Sequence, residues 1–475
     1  MNKPTDKQQQ HQTLGVKTLL GHPKKAIIRL SIPMIIAMSV QSIYNITDAI
    51  WVSGLGANAL SAIGFFFPFF ILAMALAVGA GIGGGAAISQ RIGAKDKDGA
   101  NDVAVHTIII MIIVSLIYSV PLTIFARPIF KALGAKEALN YALDYASIIF
   151  PGAILIFFSN VAGSILRSEG DARRSMVAIL IGSVLNIILD PLFIYQFNLN
   201  IFNMNIKIGL NLDVAGAALA TIISIFISCI FLFFWLFIKK NTYVSFKFKD
   251  FKFKKKVVAK IAQVGLPAML SQSSMSFMMF LLTIIVNFIG MNDGVAIFTT
   301  GWRVVIFAIL PLIGITTAVI SVSGATFGAK EYIKLRTSFY YAVKMAFIIE
   351  IIIAVISFVF AGVITNAFTW SPDSIKLREG IITLLMVVSF FYPAVAFGML
   401  SSGMFQGIGK GFNALIITLT RTILLSAGFS AFFGIVLNMG LYGVWVGLVL
   451  SSWISSIGAF IWASIHIKGL VKTQS

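Results

Sequence analysis

Twelve apolar stretches, each cut off by a short segment that gathers charge, Gly or Pro, follow one another along the chain. They lie near 26–52, 59–88, 103–126, 140–163, 174–197, 214–238, 258–290, 294–325, 339–364, 381–405, 412–435 and 441–467. A helix rises about 1.5 Å per residue and a hydrocarbon core is about 30 Å thick, so roughly 20 apolar residues suffice to cross it. Each stretch reaches that length, and those above about 25 residues predict tilted spans or helices that continue past the membrane. The pattern predicts an all-α integral membrane protein with twelve transmembrane helices.

Composition agrees. Of 475 residues, 58% are hydrophobic and 11% charged, and mean hydropathy is +0.95. A soluble surface needs about a quarter of residues charged, so a water-soluble enzyme is excluded. The single cysteine, Cys229, sits in an apolar run, which leaves no intramolecular disulfide and no thiol pair for a metal. The first 25 residues are polar and lack the apolar core of a signal peptide, so the first apolar run is expected to stay as a span.

A net charge of +19 would suggest nucleic acid in a soluble protein. Its distribution says otherwise. Sorted by loop, 28 of the Lys and Arg residues fall on the side of the two termini and 6 on the other, with Arg303 and Arg421 inside spans. Positive residues mark the cytoplasm, so both termini are expected inside and no nucleic-acid partner is expected. The most basic stretch, KKNTYVSFKFKDFKFKKKVVAK over 239–260, reads as a charged linker compatible with contact to anionic lipid.

Six spans precede that linker and six follow it. Shifting the chain by 234 places Pro33 on Pro267, Ser39 on Ser273 and Gly56 on Gly290; one residue later Gly93-Ala94-Lys95-Asp96 falls on Gly328-Ala329-Lys330-Glu331. Gly170 matches Gly409, and Gly216 matches Gly443. The order of these matches predicts an internal duplication. An even number of spans per copy makes the repeats parallel, giving two pseudo-symmetric six-helix bundles around a central cavity. The expected division is a tail at 1–25, a first bundle at 26–238, a linker at 239–257, a second bundle at 258–467 and a tail at 468–475.

Ionisable groups inside spans are costly, at least about 2.5 kcal/mol each on insertion scales. Three acids lie there: Asp48, Asp190 and Glu350. Gln41, Tyr44 and Asp48 are spaced i, i+3, i+7, and Ser183, Asn186 and Asp190 repeat that spacing, so each helix carries a polar stripe ending in an aspartate. Both aspartates lie about 10 Å from the outer end of their spans, and Thr221 of span 6 lies at similar depth. Such a pair either ties two helices together or takes up H⁺ or Na⁺ and couples it to rearrangement. At the matching offsets the second copy has Leu282, Phe429 and Leu448 in place of Asp48, Asp190 and Thr221. Helix tying would serve both copies, whereas a coupling site is needed once, which favours coupling. Pro33 and Pro191 interrupt helix hydrogen bonding and are read as hinge positions, Pro191 also freeing the carbonyl of Ile187 one turn from Asp190. Glu350 is read as structural or unassigned: a bridge to an arginine of the same half, Arg303 or Arg421, and a reach toward an interface are equally open.

Other patterns carry no chemistry. Gly79, Gly81 and Gly84 satisfy G-x-G-x-x-G, yet lie inside a span with no strand before them, so they and Gly83 and Gly85 are read as allowing close helix approach. The four histidines are scattered, so no metal site is expected beyond Na⁺ at the acids. No cofactor or nucleotide motif appears, no clustered catalytic set supports a membrane enzyme, and an ion gradient is the expected energy source.

The Pro33…Tyr44…Asp48 stripe, G-A-K-D after span 2, R-S-E-G-D at 167–171, L-N-I-I-L-D-P at 185–191 and V-A-G-A-A-L-A-T at 214–221 resemble the multidrug and toxic compound extrusion (MATE) family, in its DinF-like prokaryotic branch. The resemblance extends over the chain after residue 25. It implies a monomeric antiporter in a prokaryotic plasma membrane that exports cationic lipophilic compounds in exchange for H⁺ or Na⁺. It further implies a coupling site of Asp48, Asn186, Asp190 and Thr221, adjoined by a substrate pocket of Gln41, Tyr44, Tyr145, Asn160 and Ser183. The Phe and Met content is compatible with flat aromatic cations. The alternative is a lipid-linked oligosaccharide or lipid flippase of a related two-bundle plan. One departure from the family pattern is a longer Asn-rich segment at 196–213, read as a cover over the outer mouth or a small hairpin.

Overall fold

The computed structural model describes residues 13–201, 204–239, 241–246, 251–369 and 375–473. The expectations for the N-terminal tail, the basic linker and the 196–213 segment therefore fall partly outside the described residues.

The twelve expected spans are present as α1 (Pro23–Ser53), α2 (Ala57–Gly93), α3 (Lys97–Ile124), α4 (Leu139–Ser168), α5 (Ala172–Ile194) and α6 (Asp213–Ile238), then α7 (255–290), α8 (292–328), α9 (Tyr332–Val359), α10 (Arg378–Val388 and Phe391–Gly407), α11 (Gly411–Val436) and α12 (Gly440–Lys472). The α7–α8 turn is so short that the helix is broken only at Met291, whose φ of 49° is non-helical. The two parts of α10 meet at a bend of 49°. A short helix, Leu14–Leu20, precedes α1. The 196–213 segment is a two-stranded antiparallel hairpin, β1 (Phe197–Ile201) and β2 (Met204–Ile208), with Phe197 opposite Ile208.

Contacts group the chain into two compact units that do not follow its two halves. One unit holds Ile36–Ile88 and Lys97–Ile261; the other holds Lys17–Ile35, Ser89–Asp96 and the chain from Ala262 on. A cut at 238 to 258 would leave all of α1 and α2 in the first bundle. Instead α1 changes unit between Ile35 and Ile36, just past the proline interruption at Pro33.

In the first unit, glycine lets helices touch where any side chain would hold them apart. A Cβ at Gly84 would fall 2.3 Å from Thr107 of α3, and one at Gly85 would fall 2.7 Å from Ser164 of α4. Ser164 donates to Gly81 O at 2.7 Å. The glycine run in α2 is thus a packing surface, as read from sequence. In the second unit the duplicated G-A-K-[D/E] turns meet each other. A Cβ at Gly93 would fall 1.9 Å from Ala325 O, and one at Gly328 would fall 1.9 Å from Gln90 O. Lys95 and Lys330 both take φ of 58° in these turns. The duplication recurs at Gly170 and Gly409, with φ of 84° and 86°.

Candidate functional site

The polar stripes of α1 and α5 face one another in the first unit. The Asp48 and Asp190 carboxyls meet at hydrogen-bonding range. Asp190 is fully buried and Asp48 partly so. Asn186 lies one turn before Asp190 on α5, and its Nδ2 donates to Asp190 Oδ1 at 3.1 Å and to Thr221 Oγ1 of α6 at 3.3 Å. Its own Oδ1 and Asp190 Oδ2 are buried with no donor among the described residues. Two ionised carboxylates are acceptors only. Placed together with donor-less oxygens beside them, they need a proton or a metal cation to be satisfied.

Helix geometry explains the convergence. Gly216 near the start of α6 lies flush on α5, where a Cβ would fall 2.4 Å from Phe193 O. That approach brings Thr221 to Asn186. Pro191, one residue past Asp190, has no N–H, so it gives Ile187 O no helical bond.

Tyr44 and Tyr145 both lie within electrostatic reach of both carboxyls, and the Tyr145 ring packs edge-on against Phe66 with centroids 4.9 Å apart. Ser183 is buried on the same face of α5. Gln41 is half-buried on α1, about 10 Å along the helix from Asp48. Asn160 donates its amide to Ile156 O of its own helix at 3.0 Å. The structure thus brings Asp48, Asp190, Asn186, Thr221, Tyr44 and Tyr145 together. It does not tie Gln41 or Asn160 to them.

Two features have no counterpart in the sequence reading. One turn beyond the carboxyls, Val52, Ile194 and Ala217 form a buried apolar cluster packed by Trp51, Leu55, Tyr145 and Tyr195. The Tyr195 hydroxyl donates to Trp51 O, and Gly54 leaves room for it, since a Cβ there would fall 2.3 Å from that oxygen. This apolar plug bounds the polar cluster at one end. The spacing signal was available: Trp51 and Tyr195 follow Asp48 and Asp190 by three and five residues.

The second feature is at the basic end of the spans. The R-S-E-G-D turn ends α4 on Gly170, and Asp171 caps α5 by accepting from Arg174 N at 3.2 Å. Glu169 in this turn is buried and accepts from Tyr243 N and Val244 N, each at 2.9 Å. Asn101 accepts from Ser245 N at 2.7 Å, His106 Nε2 from Lys254 N at 2.9 Å, and Asp102 pairs with Lys254. The linker is strapped to the first unit by buried acceptors. Burial pushes the Glu169 carboxyl up to about 7, against the opposing pull of its two N–H donors.

Of the two alternatives open for Glu350, the structure removes the arginine bridge. Glu350 is wholly buried in α9, and neither carboxyl oxygen has a hydrogen-bond partner among the described residues, so no Glu–Arg bridge forms. Arg303 is exposed, and Arg421 lies in a π-helical stretch of α11 with Nη1 unpartnered among the described residues.

Comparison with known proteins follows the same lines. The MatE family model matches residues 33–192 and 267–432, once over each half. A multidrug export protein MepA of Staphylococcus haemolyticus is 29% identical over 457 residues, covering 95% of this chain and 96% of its own. A solved MATE transporter in complex with MaL6 superposes with a TM-score of 0.92 at 42% identity, over 97% of this chain and all of its own. A MOP-superfamily transporter from Pyrococcus furiosus, described with a binding pocket of reverse polarity that suggests a different function, superposes at 0.89 with 43% identity, over 96% and 99%.

Proposed function

The chain belongs to the MatE family, and from that premise we propose that it is a multidrug exporter of the cell membrane driven by cation exchange at Asp48 and Asp190. A transporter of this family needs a coupling group that changes charge within the membrane. The observation that carries the reading is the contact between the Asp48 and Asp190 carboxyls, with Asp190 Oδ2 and Asn186 Oδ1 lacking donors beside it.

The mechanism follows from charge. With no cation bound, the two carboxylates repel each other and favour a cationic, lipophilic substrate nearby, where Tyr44 and Tyr145 offer aromatic faces. Uptake of H⁺ or Na⁺ cancels the repulsion, removes the attraction for substrate and lets the polar faces of α1 and α5 draw together. Substrate and coupling ion therefore compete, which is what exchange requires. Pro33, which leaves α1 short of one helical hydrogen bond, is the hinge in this reading. The Trp51–Tyr195 plug bounds the site at one end. Loop charge supports an orientation with both termini in the cytoplasm, and the exporter works as a monomer.

The test is transport of a fluorescent lipophilic cation in proteoliposomes under an imposed pH or Na⁺ gradient. Asp48→Asn and Asp190→Asn are each expected to insert normally and to reduce gradient-driven transport to background. Undiminished transport in both variants overturns the coupling assignment. Movement of lipid-linked sugar without dye movement would make the protein a flippase instead.

A further inference from the structure

The second unit holds a buried acid that the coupling pair does not use. Glu350 stands in F-I-I-E-I-I-I, in the middle of α9, with zero exposure and both carboxyl oxygens without a partner among the described residues. An ionised carboxylate cannot persist there unpaired, because the lost hydration is not replaced.

Its neighbours are chemically suited to it. Ser357 lies seven residues on, on the same face of α9. Tyr392 is the second residue of the inner part of α10, directly after the 49° bend. The Tyr392 hydroxyl lies near Ser357, short of a hydrogen bond, and in the field of Glu350, and α9 and α10 pack together. Both hydroxyls are buried with no hydrogen-bond partner among the described residues. Among the described residues Glu350 is the one acid with both carboxyl oxygens so placed and Tyr392 the one tyrosine, whereas unpartnered serine hydroxyls such as that of Ser357 recur elsewhere. Thr326, Ser338 and Thr365 are equally buried and each bonds a carbonyl of its own helix at 2.7 to 2.9 Å. Ser357 does not, and Tyr392 reaches no carbonyl. Left unsatisfied, a buried carboxyl and the phenol beside it carry a desolvation cost that a shared proton would offset.

We propose that Glu350, Tyr392 and Ser357 form a second proton-binding site, in the second unit, which takes up and releases one H⁺. Loading forms one O–H bond on a carboxyl oxygen and breaks none in the protein. The neutral acid donates to the Tyr392 hydroxyl, and Tyr392 donates on to Ser357. Release reverses the chain, with Tyr392 donating to the carboxylate. The bend beside Tyr392 gives this reversal a backbone to act on.

The surrounding charges leave the site to itself. Of the helices packed on α9, α8 carries Asp293, exposed and paired with Lys376, and Arg303, also exposed, both on the far side of its break at Ile309. α10 carries Tyr392 and, at its start, Arg378 and Glu379, which pair with each other. α12 carries Tyr442 near its start and His466, Lys468 and Lys472 near its end. On α9 itself Tyr332, Lys334, Arg336, Tyr340, Tyr341 and Lys344 precede Glu350 by one turn or more. A metal ion fits poorly. Hard cations gather roughly six oxygens or more, and three side chains do not supply them; nor does any cluster of three metal-ligating residues occur among the described residues.

The experiment is pH-difference infrared spectroscopy of the full-length protein in lipid, reading the C=O stretch of protonated carboxyls. Wild type is expected to show a buried-acid band that disappears as pH rises. Glu350→Gln should lose it, Tyr392→Phe and Ser357→Ala should shift its frequency, and Asp48→Asn and Asp190→Asn should leave it in place. Because the readout is protonation and not transport, it stands apart from the fate of the coupling pair. A band that does not titrate, one that survives Glu350→Gln, or one that Na⁺ abolishes at fixed pH overturns the proposal. Should Glu350→Gln fail to insert, an unmoved band in Tyr392→Phe overturns it equally.

Discussion

The α5–α6 and α11–α12 pairs occupy matching places in the two copies of the repeat, and they differ in a telling way. Their backbones meet alike: Gly216 sits 2.4 Å, measured from an added Cβ, from Phe193 O, and Gly443 sits 2.5 Å from Phe433 O. Around that shared contact the side chains part company. The first pair carries Asp190, Asn186 and Thr221, bonded to one another. The second carries Phe429 and Leu448 at the corresponding places, and its polar contacts are hydroxyl ties such as Ser430 to Val444 O at 3.1 Å. α11 also winds as π-helix over Thr420–Leu425 and Phe432–Val436, where α5 stays α-helical. The fold needs glycine at the contact in both copies; it needs acid in neither. Acid in one copy alone is therefore a matter of chemistry.

The largest effect is expected where the shared backbone is attacked. Gly328→Ala places a methyl group 1.9 Å from Gln90 O, and Gly93→Ala does the same against Ala325 O. Both opposing atoms are backbone, so relief requires the turns to separate. Each substitution should destabilise by about 3 kcal/mol or more, at the upper end for overpacking, read as loss of monodisperse protein or a sharply lowered Tm in detergent. Because the contact is reciprocal, the two losses should be similar. A tolerated alanine at either turn would show that the symmetric contact does not hold the unit together.

The next effect belongs to one half only. Glu169 precedes Gly170 and binds two linker N–H groups; Ile408, which precedes the matching Gly409, is apolar. With its carboxyl raised from 4.5 to about 7, the folded protein binds this proton more tightly than the unfolded chain does. The stability from that proton is complete below about 4.5 and is lost as pH rises through about 7. The span corresponds to about 3 kcal/mol at most. Glu169→Gln should flatten this part of the Tm–pH curve, while Ile408→Ala leaves its slope alone. A wild-type-minus-variant difference that is constant from acid to neutral pH would show that Glu169 does not titrate there.

Much of this was legible in the sequence, for a physical reason. Spans in a bilayer must be long and apolar, and buried acids are too costly to escape notice, so the twelve helices, the duplication and the Asp48–Asp190 pair could all be read directly. Turns with positive φ left glycine marks at Gly170 and Gly409. What escaped were contacts made by ordinary residues at large separation. Asn101 and His106 meet the linker more than 140 positions away, and nothing local in N-D-V-A-V-H announces it. Glu350 was visible as an anomaly, but its neighbour Tyr392 lies on another helix and could not be paired with it from spacing.

The smallest effect probes the difference between the copies at its mildest point, Thr221 against Leu448. The Thr221 hydroxyl accepts from Asn186 Nδ2 at 3.3 Å, the longer of the two bonds that amide makes. Thr221→Val keeps the shape and removes the hydroxyl, leaving the amide hydrogen that pointed to it unanswered. The loss should be about 1 kcal/mol in stability, seen as a small fall in Tm. In the Asn186→Ala background the same substitution should cost less, since the partner is already gone, and the discrepancy measures the bond. Transport should fall more modestly than in the aspartate variants, because Asp48 and Asp190 still meet. If Thr221→Val abolished transport as fully as Asp190→Asn, the hydroxyl would be a direct ligand of the coupling ion and not a brace for Asn186. In that case the polar cluster of the first copy would act through three helices, α1, α5 and α6, and Leu448 would mark a lost ligand in the second.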